Sequence, residues 1–199
     1  MSERPIPEPQ PADNRVFVLV LQHPQEQRET RATAATLVAS LRKARLVVGL
    51  SWANLAHALG RRADPRRWGV LYLGAARPGA FGREREIAVI GRDGAPLPDD
   101  AAILGGLEGL VLLDGSWKEA KALWWRNPWL LRLHRVVLNP PRPARLGRLR
   151  REPRREALST LEAAALALRH LEATPAATDA LLAALDRLIA AMRRPAGNA

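Results

Sequence analysis

Not one of the 199 residues is a cysteine. That absence removes a disulfide framework, a thiol nucleophile and a thiolate zinc site together. Nor is there an apolar run of about 18 residues, the length a membrane-crossing helix needs. The opening residues, Met1 to Pro5, lack the charged-then-apolar pattern of a secretory leader. The expectation is a cytoplasmic chain with no membrane contact and no obligatory protein partner. Lysine is scarce as well: Lys43, Lys118 and Lys121 are the only three among 31 basic residues.

Arginine is what the chain has in excess. Against 20 acidic residues the formal net charge is +11, and a surface so basic attracts phosphate polyanions. Scattered arginines also follow from a GC-rich coding sequence, so clustering says more than the total. Arg142, Arg145, Arg148, Arg150, Arg151, Arg154 and Arg155 fall within fourteen residues, opposed nearby by Glu152 and Glu156. Such a block suits a phosphate backbone; a solvated loop is the alternative.

The length fits one compact domain. Residues 1–14, rich in proline and charge, read as a disordered lead-in, 15–193 as a single α/β domain and 194–199 as a tail. Apolar stretches at 16–21, 45–50, 68–74, 86–90, 109–113 and 135–139 read as strands. Helices are expected over 30–43, 118–126, 159–171 and 178–192, with shorter turns at 55–59 and 128–133 and room for another between Gly91 and Gly109. Strands alternating with helices imply a mostly parallel sheet flanked by helices on both faces.

Asp114-Gly115-Ser116-Trp117 stands where the 109–113 strand gives way to a helix, the place where open α/β sheets gather ligands. Asp114 is there either a helix cap or a working carboxylate. Gln22-His23-Pro24-Gln25-Glu26 follows a buried strand in the same way and belongs on the same sheet edge. His23 and Glu26 suit ligand binding or proton transfer, although a histidine beside a proline is more often a packed turn residue. Trp117, Trp124 and Trp125 share one helical stripe. Core packing is favoured for Trp124 and Trp125, while Trp117, next to the loop, can wall a nucleobase. Ser159-Thr160-Leu161-Glu162 has the form of a capping box, which by itself accounts for Ser159 and Glu162. His57, His134 and His170 show no metal spacing with one another, and no metal site is expected.

In this order the motifs resemble the DTW-domain family of tRNA-uridine aminocarboxypropyltransferases, over roughly residues 16–190. The resemblance rests on Asp114-Gly115-Ser116-Trp117 with Glu119-Ala120-Lys121, on the Gln22–Glu26 stretch, and on Arg148-Leu149-Arg150 leading into Leu158–Ala163. It implies a SPOUT-like fold with a C-terminal trefoil knot. It also implies transfer of the 3-amino-3-carboxypropyl group of S-adenosylmethionine to a uridine of tRNA, releasing methylthioadenosine. Asp114, Ser116 and Trp117 are then the catalytic residues, with Asp114 as base or as the group orienting the uracil. Leu112, Gly115, Leu138, Asn139, Ser159, Thr160 and Glu162 serve the cofactor. His23, Lys118, Lys121, Arg145, Arg148, Arg150 and Arg151 contact RNA. The chain departs from its relatives in two places: it has no N-terminal cysteine cluster, and residues 32–37 lack an arginine usual early in the first helix. The alternatives are a SPOUT-type RNA methyltransferase and a non-catalytic RNA-binding protein.

Overall fold

A computed structural model describes residues 10–25, 31–72, 85–140, 145 and 158–193. Its strands are β1 Phe17–Gln22, β2 Ala44–Val48, β3 Trp68–Leu71, β4 Ile87–Ile90, β5 Gly109–Asp114 and β6 His134–Leu138. The helices are α1 Arg31–Ala39, α2 Leu55–Leu59, α3 Asp100–Gly106, α4 Trp117–Arg126, α5 Thr160–Leu171 and α6 Ala176–Arg193. Short 3₁₀ turns occupy Pro65–Arg67 and Pro128–Arg132. The six strands form one sheet in the order β2-β1-β5-β3-β6-β4. All neighbours run parallel except β4, which joins β6 antiparallel at one edge.

Alternation along the strands divides the core in two, because successive side chains leave a strand on opposite faces. Val18 and Val20 of β1, with Leu110 and Leu112 of β5, pack against α1, α5 and α6. Leu19, Leu21 and Val111 face the other way, with Trp68, Leu123, Trp129 and Leu130. A fully buried leucine contributes about 1.5–3 kcal/mol, so the two layers together hold the sheet between helices. Gly69 lets the first of these layers close over β3: a Cβ there would sit 2.8 Å from Val136 Cγ2.

The parity fixes the site. Asp114 and Gln22 continue the even-numbered series of β5 and β1, so both side chains leave on the α1–α5–α6 face. They are also register partners across the strand pair.

Of the expected lead-in, residues 1–9 lie outside the described residues. Ala12 bridges Leu41, and Asn14 is buried, donating to the Val16 and Lys43 carbonyls. The path from β6 to α5, on which the expected trefoil knot turns, lies outside the described residues apart from its ends and Arg145. Among the described residues no helix is long and apolar enough to cross a membrane.

One packing expectation fails. Trp125 is 79% exposed. The inward seam of α4 runs through Ala120, Leu123, Trp124 and Asn127 (spacing i, i+3, i+4, i+7), and Trp125 lies about 100° round the helix from Trp124. Trp124 does pack, edge to face with Tyr72 at 5.1 Å between ring centres, and Trp129 is buried.

Candidate functional site

Asp114 ends β5 as a buried residue, 3% exposed. Gln22, the last residue of β1, donates from Nε2 to Asp114 Oδ2 at 2.7 Å. The Thr160 hydroxyl, at the start of α5, donates to Oδ1. The His23 backbone N–H donates to the Asp114 carbonyl at 2.9 Å, so the chain leaving β1 is tied to the chain leaving β5. One carboxylate thus joins two strand ends and a helix start. Both side-chain donors are neutral. Asp114 is not a helix cap: Ser116 holds that place.

Ser116 and Glu119 form a capping box at the start of α4. The Ser116 N–H donates to Glu119 Oε2 at 2.7 Å, and Ser116 Oγ accepts from the Glu119 N–H at 3.4 Å. The S-x-x-E spacing at 116–119 is the signal that could have found it. Gly115 makes the turn between strand and helix at φ 153°. An added Cβ would lie 2.9 Å from Glu119 Cβ and 3.4 Å from His23 Cβ.

Trp117, the first helical residue, is 47% exposed, and Lys121 Nζ stands 5.3 Å from its ring centre. With exposed Lys118 these give the edge a cationic, aromatic surface. His23 is buried; its Nδ1 accepts from the Gln25 N–H at 3.3 Å and lies 3.6 Å from Glu119 Oε1. Its ring is packed into the turn rather than presented to solvent.

Leu112 is buried in β5, two residues before Asp114. Leu138 ends β6 level with Asp114, two strands away across β3, about 10 Å at ordinary strand spacing. Asn139 follows; its N–H donates to the Glu86 carbonyl at 2.7 Å and its Nδ2 to the Arg85 carbonyl at 3.0 Å. Glu86 is in turn held by α5 through Arg169 and through His170 Nε2 at 2.8 Å.

Burial, and then the Arg169 guanidinium, hold the His170 imidazole below its ordinary 6.5. Glu86 pulls the other way, but it shares one oxygen between Arg169 and His170, so its charge is already engaged. The unfolded chain therefore takes up the His170 proton first. Stability from this position is complete above pH 6.5 and falls as pH drops from 6.5 toward the lowered folded value. His170→Gln flattens that part of the profile, a difference read from urea midpoints at pH 8 and pH 5.5. Equal slopes for both proteins would contradict it.

Ser159 and Glu162 form the second capping box, with Ser159 Oγ donating to Glu162 Oε2 at 2.8 Å. Glu162 Oε1 also accepts the Arg145 N–H at 2.5 Å, while the Arg145 guanidinium pairs with Asp186 of α6. Arg145 is thus an anchor of its segment at both backbone and side chain. Arg148, Arg150 and Arg151, like Glu26, lie outside the described residues. The structure therefore gathers Asp114, Gly115, Ser116, Trp117 and Thr160 with Gln22 and Glu119, and sets Leu138 and Asn139 farther along the same edge. Among the described residues no group of three His, Asp or Glu side chains is close enough to hold a metal ion.

The DTW-domain family model matches residues 5–193. A tRNA-uridine aminocarboxypropyltransferase 2 of Drosophila melanogaster is 32% identical over 175 residues, which cover 86% of this chain and 62% of the relative. The chain thus spans less than two thirds of that protein's length. No solved structure gives a significant match.

Proposed function

The chain belongs to the DTW-domain family, and on that premise we propose that it is a tRNA-uridine aminocarboxypropyltransferase with S-adenosylmethionine as group donor. The observation that carries this reading is the buried Asp114 carboxylate, held between Gln22 and Thr160 at the carboxyl edge of a parallel sheet. The relative named above supports the same chemistry. The residues present fit such a donor. The Gly115 turn keeps its backbone bare of a side chain at the strand end, and Thr33, in the first turn of α1, buries a hydroxyl with no hydrogen-bond partner among the described residues.

The donor supplies a carbon activated by a sulfonium, which departs as the neutral thioether of methylthioadenosine. Little leaving-group charge needs stabilising, so positioning carries much of the rate. Backbone groups of 112–116 and of the Leu138–Asn139 turn hold the adenosine part, and Thr160, at a helix N-terminus, faces the carboxylate of the amino acid part. Each carboxylate oxygen accepts two hydrogen bonds. Gln22 and Thr160 therefore leave Asp114 a lone pair on each oxygen to orient the uracil imide and take its proton. Trp117 walls the base, and Lys118, Lys121 and the arginines of 142–155 hold phosphates. The reading also takes the fold to be SPOUT-like with a C-terminal trefoil knot, which the return of α5 to the end of β5 supports, and the enzyme to act in the cytoplasm.

Mass spectrometry of tRNA nucleosides from cells with and without the gene tests it. The expected result is loss of an aminocarboxypropyl-uridine. Loss of a methylated nucleoside instead would assign the methyl group of the same donor, and an unchanged profile would overturn the enzyme reading altogether.

A further inference from the structure

The opposite edge of the sheet, where the parallel strands begin, carries a second basic surface. Its centre is the segment between α2 and β3, where Gly60 ends α2 in the left-handed conformation and Asp64 and Pro65 start a 3₁₀ turn. His134 Nε2 contacts the Arg66 carbonyl at 2.8 Å and ties the segment to the start of β6. Arg61 lies over the Phe17 ring at 5.0 Å, which places it below β1. Arg62, Arg66 and Arg132 are exposed. Beyond them, Arg92, His134 and Arg135 line a groove of about 140 Å³ floored by Val89, Ile90, Leu97 and Leu133.

The acids beside these arginines are fewer than the cations, and each is tied to a neighbour, Glu108 to an arginine side chain and the other two to backbone N–H groups. Asp64 accepts the Arg66 N–H at 3.0 Å, Glu108 pairs with Arg67 at 2.6 Å, and Asp93 accepts the Ala95 N–H at 3.1 Å. Among the described residues the side chains of Arg62, Arg66 and Arg132 form no ion pair with an acid. From β1 to β4 the surface spans four strand spacings, roughly 19 Å. A duplex carries a phosphate on each strand every few ångströms of helix axis, ~3.4 Å in B-form DNA, so a surface of this width can face several at once. The segment is held by backbone bonds, so its arginines meet a polyanion without a large ordering cost.

We propose that this far edge is a phosphate-backbone docking surface for folded RNA, separate from the edge that holds Asp114. The inference rests on tRNA being the substrate: a helical part of the molecule lies against Arg62, Arg66 and Arg132 while the target uridine reaches the other edge. Such contacts position without reading sequence.

The test is retention of bulk tRNA on filters at several salt concentrations, comparing the full chain with the triple variant Arg62→Gln, Arg66→Gln, Arg132→Gln. Melting curves check that both are folded. The variant is expected to bind tRNA about tenfold more weakly at 0.1 M salt, with the log–log salt slope reduced by roughly 2–3, one unit per lost phosphate contact. It binds a short single-stranded uridine oligonucleotide as the wild type does. Unchanged affinity and slope for tRNA would overturn the docking surface and leave the proposed enzyme standing. Loss of tRNA binding in a protein that transfers no group would keep the surface and remove the enzyme. A wild-type chain that does not retain tRNA at all would remove both.

Discussion

Asp114→Asn leaves donor binding within about twofold of wild type and slows group transfer by about 10²–10⁴-fold, the range that one positioned proton-transferring group contributes. The substitution suits the site because it changes charge and proton affinity with almost no change of shape. Gln22 Nε2 still finds a carbonyl oxygen where it now meets Oδ2 at 2.7 Å. The Thr160 hydroxyl, which now donates to Oδ1, can turn and accept from the new amide instead. Asp114→Ala is a poorer probe, since it strands the buried Gln22 amide at a cost of about 1–3 kcal/mol. Donor affinity by calorimetry and single-turnover transfer to tRNA separate binding from chemistry. An asparagine variant that transfers at the wild-type rate would reduce Asp114 to a tie between β1, β5 and α5.

The parts of this site legible in sequence are those set by local period. An apolar run ending in Asp114, and another ending in Gln22, place two polar residues at strand ends, and parallel strands bring those ends to one edge. That Gln22 and Asp114 are adjacent needs the strand order, in which β5 is inserted between β1 and β3. No local signal carries strand order. The Thr160 contact is harder still, because it depends on where a helix 46 residues away in sequence begins over the sheet. The spacing that marks Ser159–Glu162 as a capping box is present at Ser116–Glu119 too, yet there the tryptophan signature draws the eye to chemistry first. Trp125 departs from the pattern for a different reason: the 117, 124, 125 stripe is broad enough to straddle the edge of the buried face, and packing takes Trp124. The far-edge arginines escape notice because Asp64 and Pro65 break the run and the remaining cations come from other strands.

Gly115→Ala is expected to cost roughly 2–4 kcal/mol of stability, from left-handed backbone strain and from overpacking together. At φ 153° an L side chain is unfavourable whatever the space. The space is also taken: the methyl carbon would sit 2.9 Å from Glu119 Cβ and 3.2 Å from Glu119 Oε2. Glu119 cannot simply swing aside, since its Cβ is fixed by the α4 backbone and its Oε2 accepts the Ser116 N–H at 2.7 Å. Relief therefore requires α4 to move away from β5, carrying Ser116 and Trp117 with it. For a chain of this size the melting temperature should fall by about 5–15 °C. At temperatures where the variant remains folded, group transfer should fall further than donor binding, because the wall and the carboxylate have moved apart. A serine at 115 meets the same backbone and the same clash and should behave alike. If the alanine variant melts within about 2 °C of wild type, the strand-to-helix turn is softer than its geometry implies, and the close approach of α4 to Gly115 is not what sets the turn.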